Sequence, residues 1–440
     1  MWLHHLDPVT PYTPKVVSVR CSYQWRVADA GSAGRTHDVR LIYLLAVVIT
    51  TSQGALELVL PLNLHRLHYS LPLVGGGVAA LGVGQLVSRL PGGAVYRVER
   101  ARLLLLGALA AFGLTTIGLA FVSAWWLQAG LAGMHGFAFG LVTTFMLAIL
   151  IDVRPAGARV AGTMAWYTAA ISTGYALGAP LGAQALSSLG YGGAFWVAGL
   201  VGLLPAAGCP GLRLAVTTVA AAGPSEARGL SRWTAALTLP AGIWLATLLV
   251  FYINFISDLM SAFFPIYAAG IGIPLAYVGL LKSANSLSAT GIRFAAAGLF
   301  RFLDPHAANH VAVLGMAAGV VALSLVTNQP ALLGSFALIG VCRGLIRVTS
   351  ATSVAEERAR PGVHAGLSSG VYNAGLDTGS MLAPPLGGAL AALIGIPATF
   401  RMAALALPAI YYLLWLLLRS RLAPPVAAEV QTLPATSAEQ

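Results

Sequence analysis

The chain has 440 residues, 58% of them hydrophobic and 9% charged, with a mean hydropathy of +0.80. Soluble domains run at about 25% charged residues, so this composition excludes an ordinary globular protein of an aqueous compartment. The net charge of +11 sits in short basic clusters between apolar runs, the pattern of membrane topology rather than of a nucleic-acid-binding face.

Residues 1–39 are mixed polar and basic, lack the apolar stretch of a secretory signal, and read as a cytoplasmic tail with His4 and His5 solvated. A bilayer core of about 30 Å takes about 20 apolar residues per helix. Apolar runs between turn and charge signals predict twelve spans in an all-α protein. Six fall at about 40–62, 72–94, 101–121, 125–151, 160–186 and 193–210, the last short and interrupted by Pro205. Residues 211–236 are less apolar, carry mixed charge and contain Gly-Pro-Ser, so they form a cytoplasmic linker. Six more spans follow at about 237–268, 275–299, 309–327, 331–353, 364–391 and 399–419, and residues 420–440 close the chain as a second tail. Placing the N-terminus in the cytoplasm puts most basic residues inside, among them Arg97, Arg100, Arg102, Arg154, Arg159, Arg213, Arg228, Arg232, Arg301, Arg360 and Arg421. Only Arg66 and Arg401 remain outside, which predicts the inner (plasma) membrane with both termini cytoplasmic.

The segment TGYALGAPLG at 173–182 returns as TGSMLAPPLG at 378–387, at an offset of 205. The same offset pairs Tyr167 with Tyr372, Gly190 with Gly395 and Phe195 with Phe400. Earlier in the chain an offset of 204 pairs Pro61 with Pro265, Gly75 with Gly279 and Arg89 with Arg293. Two stretches with nearly one offset indicate a duplicated six-helix unit, a transporter architecture. Within the repeat, Gly174, Gly178 and Gly182, with Pro180, form a small-residue strip on helix five. Gly379, Ala383 and Gly387, with Pro385, do the same on helix eleven. Such strips let helix backbones approach closely, either as static packing or as a contact that slides between conformations.

At this point the chain resembles the major facilitator superfamily over about residues 40–420. That family's loop between helices two and three reads Gly-x-x-x-Asp-Arg-x-Gly-Arg-Arg/Lys, and GGAVYRVERAR at 92–102 supplies Gly92, Arg97 and Arg100. Tyr96 stands at the Asp position and Glu99 at the second Gly. The helix-five segment is similar to the antiporter pattern Gly-x-x-x-Gly-Pro-x-x-Gly, with Ala179 at the Pro position and Pro180 after it. The resemblance implies two six-helix halves, with helices three, six, nine and twelve peripheral and the others lining a cavity.

Ionisable groups inside a span are costly and mark a cavity or a partner. Here they are Glu57, Arg89, His135, Asp258, Lys282, Arg293, Arg343, Arg347 and Asp377, and helices three, six, nine and twelve carry none in their interiors. Three polar stripes stand out: Thr50, Gln53 and Glu57; Asn254, Asp258 and Ser261; Ser369, Asn373 and Asp377. Lys282 with Ser286 and Arg343 with Arg347 add basic faces. At least one of Glu57, Asp258 and Asp377 is a candidate for a coupling proton, against a static ion pair such as Asp377 with Arg343 or Lys282. Arg343 is alternatively an anchor for an anionic substrate. Arg89 and Arg293 either snorkel to the interface or form a paired inner gate, and His135, set among glycines, is a packed polar residue or a proton relay.

The expectation is a secondary transporter of a small molecule, monomeric, working by alternating access with proton coupling, and an exporter of amphipathic compounds in the preferred form. A uniporter or importer of a small polar or anionic solute is the alternative, ahead of a transporter-like sensor or a membrane enzyme. No Gly-x-x-x-x-Gly-Lys-Ser/Thr segment for nucleotide occurs, and no cofactor, metal or nucleic-acid partner is expected: Cys21, Cys209 and Cys342 are far apart, and no His/Asp/Glu group has ligand spacing.

Overall fold

A backbone inside hydrocarbon must satisfy its own hydrogen bonds, and every regular element among the described residues is helical. The computed structural model describes residues 28–153, 160–212, 239–300, 304–358, 363 and 365–419. The tail up to residue 27, nearly all of the linker, the C-terminal tail and the basic residues Arg154, Arg159, Arg213, Arg228, Arg232, Arg301, Arg360 and Arg421 lie outside that set.

The helices are α1 (Ala28–Arg66), α2 (Leu71–Val95), α3 (Ala101–Gly118) and α4 (Trp125–Val153). The next stretch, Val160–Gly208, breaks at Gly190 into α5 (160–189) and α6 (191–208). Then come α7 (Ala241–Gly270), α8 (Leu275–Leu299), α9 (Pro305–Leu325), α10 (Gln329–Arg358), α11 (Ala365–Ile394) and α12 (Ile396–Leu418). Most bounds match the apolar runs within a few residues. The chief difference is α1, which starts at Ala28 rather than near residue 40: the polar stretch before the apolar run contains no proline, and the helix continues through Gly31 and Gly34.

The second difference lies between α5 and α6. The gap expected at 187–192 shrinks to one residue, Gly190, at φ 71 and ψ −176, a conformation that side chains with a Cβ do not tolerate. Its repeat mate Gly395, at φ 82 and ψ 157, separates α11 from α12 in the same way. The duplication is therefore written into the backbone as well as the sequence.

Packing follows the repeat. In the first half α1 lies on α5 and α2 on α4, and in the second half α7 lies on α11 and α8 on α10. Between halves α2 meets α11, α8 meets α5, and α1 meets α7. The small-residue strips serve the contacts within halves: a Cβ on Gly174 or Gly178 would strike the α1 backbone or Thr50, and one on Gly379 would strike Phe251 of α7. α3, α6, α9 and α12 present exposed side chains such as Leu114, Leu204, Val311 and Leu413, as lipid-facing helices do.

Nine described stretches are long and apolar enough to cross a membrane, one of which, Gly162–Gly211, holds both α5 and α6. The sequences of α8 and α11 are more polar, since α8 carries Lys282 and Arg293 and α11 carries Asp377 and a run of small residues.

Candidate functional site

A cavity of about 600 Å³ lies between the halves. Its walls come from α1, α2, α4, α5, α7, α8, α10 and α11, and none of the peripheral helices contributes. The lining reaches from Glu57, Asp258 and Phe264 in the C-terminal, distal halves of α1 and α7 to Leu147, Tyr167, Arg293 and Arg347, toward the end where α6 stops and α7 begins, here called the linker end.

The opposite, distal end is shut. Backbone meets backbone there: a Cβ on Gly75 of α2 would collide with the Pro384 carbonyl of α11, and one on Gly388 with the Leu71 carbonyl. A Cβ on Gly279 of α8 would lie 2.9 Å from Pro180 Cα of α5. The apolar core repeats the pattern. Leu56, Leu60, Leu64 and Val74 of the first half share one cluster with Leu259, Phe263 and Ile266 of the second, whereas the linker end of the first half packs as a separate cluster around Ile42, Leu105 and Phe145. The apolar core joins the halves distally and divides toward the linker, where side-chain contacts such as Arg89 with Asp377 still connect them.

Two of the three polar stripes converge in this cavity. Gln53 and Glu57 of α1 face Asn254, Asp258 and Ser261 of α7, with Lys282 and Ser286 of α8 and Arg343 and Arg347 of α10 in the same wall. Lys282 and Arg343 act electrostatically on both Glu57 and Asp258. Arg343 also donates from Nη1 to Ser257 Oγ at 3.2 Å. Asn254 ties α7 to α11 by donating to the Leu376 carbonyl at 3.1 Å and to Ser380 Oγ at 3.3 Å. Thr50 turns back to the Ala46 carbonyl of its own helix at 2.6 Å.

His135 lies behind this wall, fully buried between α3 and α1. Its Nε2 bonds Gln53 Oε1 at 2.7 Å and its Nδ1 bonds Thr116 Oγ1 at 2.9 Å. Because Gln53 Oε1 only accepts, His135 donates from Nε2. Gln53 Nε2 then donates to Glu57 Oε1 at 3.1 Å, completing a chain from α3 through α4 to the cavity.

The third stripe stops short of the cavity. Asp377 lies one helical turn from Ser380 on the mouth side and accepts from Arg89 Nη1 at 2.7 Å, and Asn373, a turn further on, is exposed. Asp377 therefore pairs with Arg89 rather than with Arg343 or Lys282. The repeat mate of this pair is Arg293 with Ser172, where Nη1 donates to Oγ at 3.4 Å. One cross-half link at the mouth is thus an ion pair and its twin a long neutral contact.

In the last turn of α2, Gly92 packs against Leu141 of α4, and in the loop that follows Arg97 and Arg100 are exposed. Tyr96 donates to Asp152 Oδ2 of α4 at 2.7 Å. Burial first, and Asp152 second, push the Tyr96 hydroxyl up, so it remains a donor.

Sequence reasoning missed Tyr175, whose hydroxyl reaches Glu57, and Ser380, which bonds Asp258. The two are repeat mates at the third position of the duplicated segment, where the copies differ, and that difference was the available signal.

Two pseudo-symmetric helical halves around a charged cleft define a polytopic membrane protein built to pass a solute. The sequence profile of the Major Facilitator Superfamily matches residues 42–374, and the chain belongs to that family. It is a transmembrane transporter of a small molecule, not an enzyme. A comparison with curated protein sequences gives no match. Among solved structures, a bacterial homolog of the human lysosomal transporter Spinster, inward-facing and unoccupied, superposes with a TM-score of 0.73 at 12% identity, covering 89% of this chain and 99% of that one. The nucleoside transporter NupG superposes with a TM-score of 0.69 at 12% identity, covering 88% and 99%.

Proposed function

We propose that the chain is a secondary active transporter that works by alternating access and couples solute movement to protons through Glu57 and Asp258. The observation that carries this reading is the pairing of carboxylates on α1 and α7, the first helices of the two halves, with Lys282 and Arg343 inside one cavity. Glu57 belongs to the first half and both cations to the second. Their attraction therefore acts across the halves, and a proton on Glu57 removes it. Proton binding then biases which arrangement of the halves is favoured, as any ligand with unequal affinity for two states does.

In this reading the protein is a monomer in the inner (plasma) membrane with both termini cytoplasmic, and the linker end faces the cytoplasm. On that orientation, this structure is assigned to the inward-open arm of the cycle. The helix-five segment behind the export expectation packs its glycines on α1 within one half and its Ala179 and Pro180 against Gly279 of α8 across the halves, contacts that give no direction of transport.

The test is uptake of a panel of labelled small solutes into proteoliposomes, with and without an imposed pH gradient. The wild type accumulates its solute when the gradient is applied. Glu57→Gln and Asp258→Asn lose accumulation but keep exchange of solute across the membrane. Gradient-driven accumulation that survives in both variants overturns the coupling.

A further inference from the structure

We infer that the cavity takes an organic anion, its charged end held between the Lys282 ammonium and the Arg343 guanidinium. The starting point is a charge imbalance. Lys282, Arg293, Arg343 and Arg347 line the cavity against two carboxylates, Glu57 and Asp258. Adding the mouth brings in Arg89 and Asp377, which cancel each other and leave the excess unchanged.

The cations are also placed where packing alone does not explain them. Lys282 Nζ, Arg343 Nε and Arg293 Nε are buried without a hydrogen-bond partner among the described residues. Buried polar groups are nearly always bonded, and a charged one left unbonded is among the costliest features a fold can keep. The foremost charged neighbours of Arg293 are Arg343 and Arg347, which repel it. An anion between α8 and α10 supplies the missing acceptors and relieves that repulsion at one stroke. Guanidinium and ammonium donors both suit carboxylate and phosphate oxygens.

The ligand is organic because an apolar part of the wall adjoins the charged groups and the space is large. Ile253, Met260, Phe264, Phe336, Ile339 and Leu376 lie beside the charged groups. A volume of about 600 Å³ suits a metabolite-sized molecule rather than an inorganic ion. Glu57 sets the affinity from the opposite wall. While ionised it competes with the ligand for Lys282 and Arg343; once neutral it leaves them free. Anion and proton then bind in support of each other, the thermodynamic condition for moving both in one direction.

This inference takes its biological meaning from the transport reading, but occupancy is measured without transport. The experiment uses purified full-length protein in detergent with four probes on one ring: benzoate, phenyl phosphate, benzamide and benzylamine. Thermal unfolding and calorimetric titration report binding. Benzoate or phenyl phosphate, or both, raise the unfolding midpoint saturably, and which of them does so separates a carboxylate substrate from a phosphate one. Benzamide and benzylamine do not. Affinity for the anion falls at least about tenfold in Lys282→Met and Arg343→Gln, is kept in Arg401→Gln, and rises about tenfold in Glu57→Gln. If Arg343→Gln does not fold, Arg343→Lys with Lys282→Met decides the matter. Equal response to all four probes, response to none, or unchanged affinity in the Lys282 and Arg343 variants overturns the inference. Anion binding in a protein that shows no gradient-driven uptake refutes the coupling and leaves this site standing.

Discussion

Replacing Gly75 by alanine tests how the distal end is closed. The new Cβ would press on the Pro384 carbonyl and lie 3.2 Å from Pro385 Cα, and both obstacles are backbone atoms of α11 that cannot rotate away. Overpacking of this kind costs about 1–3 kcal/mol. The cost is paid only while α2 and α11 touch distally, so it is released when the halves part there. At about 2 kcal/mol, with 1.4 kcal/mol per factor of ten, the population shifts about thirtyfold toward the distally open state. The assay is double electron–electron resonance between spin labels at Leu67 and Ile271, in a chain with Cys21, Cys209 and Cys342 replaced. Gly75→Ala should add or enlarge a long-distance component. Gly130→Ala, where a Cβ meets nothing within 4 Å, should leave the distribution as it is. A Gly75→Ala distribution identical to that of the parent would refute the idea that this contact seals the distal end.

Three further substitutions probe the supports of the cavity. Gln53→Leu strands the buried Nε2 donor of His135 and should cost about 1–3 kcal/mol in chemical unfolding, while the double variant with His135→Leu should cost less than the two single changes together. Asp377→Asn frees Arg89, but Arg89 is 43% exposed, so unfolding should change by no more than about 1 kcal/mol while spin labels across the linker-end mouth move apart. Tyr96→Phe removes the bond to Asp152 and should speed proteolysis of the loop after α2. Because the hydroxyl is pushed up, that difference should hold unchanged from about pH 5 to about pH 9.

The helices were readable from the sequence because lipid imposes long apolar runs, and α4 at Trp125–Val153 follows its predicted run of 125–151. The halves were readable because duplication left an offset that geometry then obeyed, down to Gly190 and Gly395. The cavity was readable in part. Glu57, Asp258, Lys282 and Arg343 are expensive in a span, so their presence alone announces a cleft. Asp377 carried the same announcement but sits at the mouth, since helical spacing fixes the face of a residue and leaves the depth at which the cleft ends undetermined. The gate glycines Gly75, Gly279 and Gly388 are chemically like the strip glycines Gly174 and Gly379. What separates them is which half the neighbouring helix belongs to, and no pattern within one helix encodes that.

The most direct test is the sidedness of a cavity cysteine. With the native cysteines replaced, Ser286→Cys lies in the cavity wall on α8. In oriented proteoliposomes a membrane-impermeant maleimide should reach it from the linker side in the parent protein, and from the distal side once Gly75→Ala is added. Labelling confined to the linker side in both proteins, with the variant folded, would contradict a cleft that two repeated halves open to each side in turn.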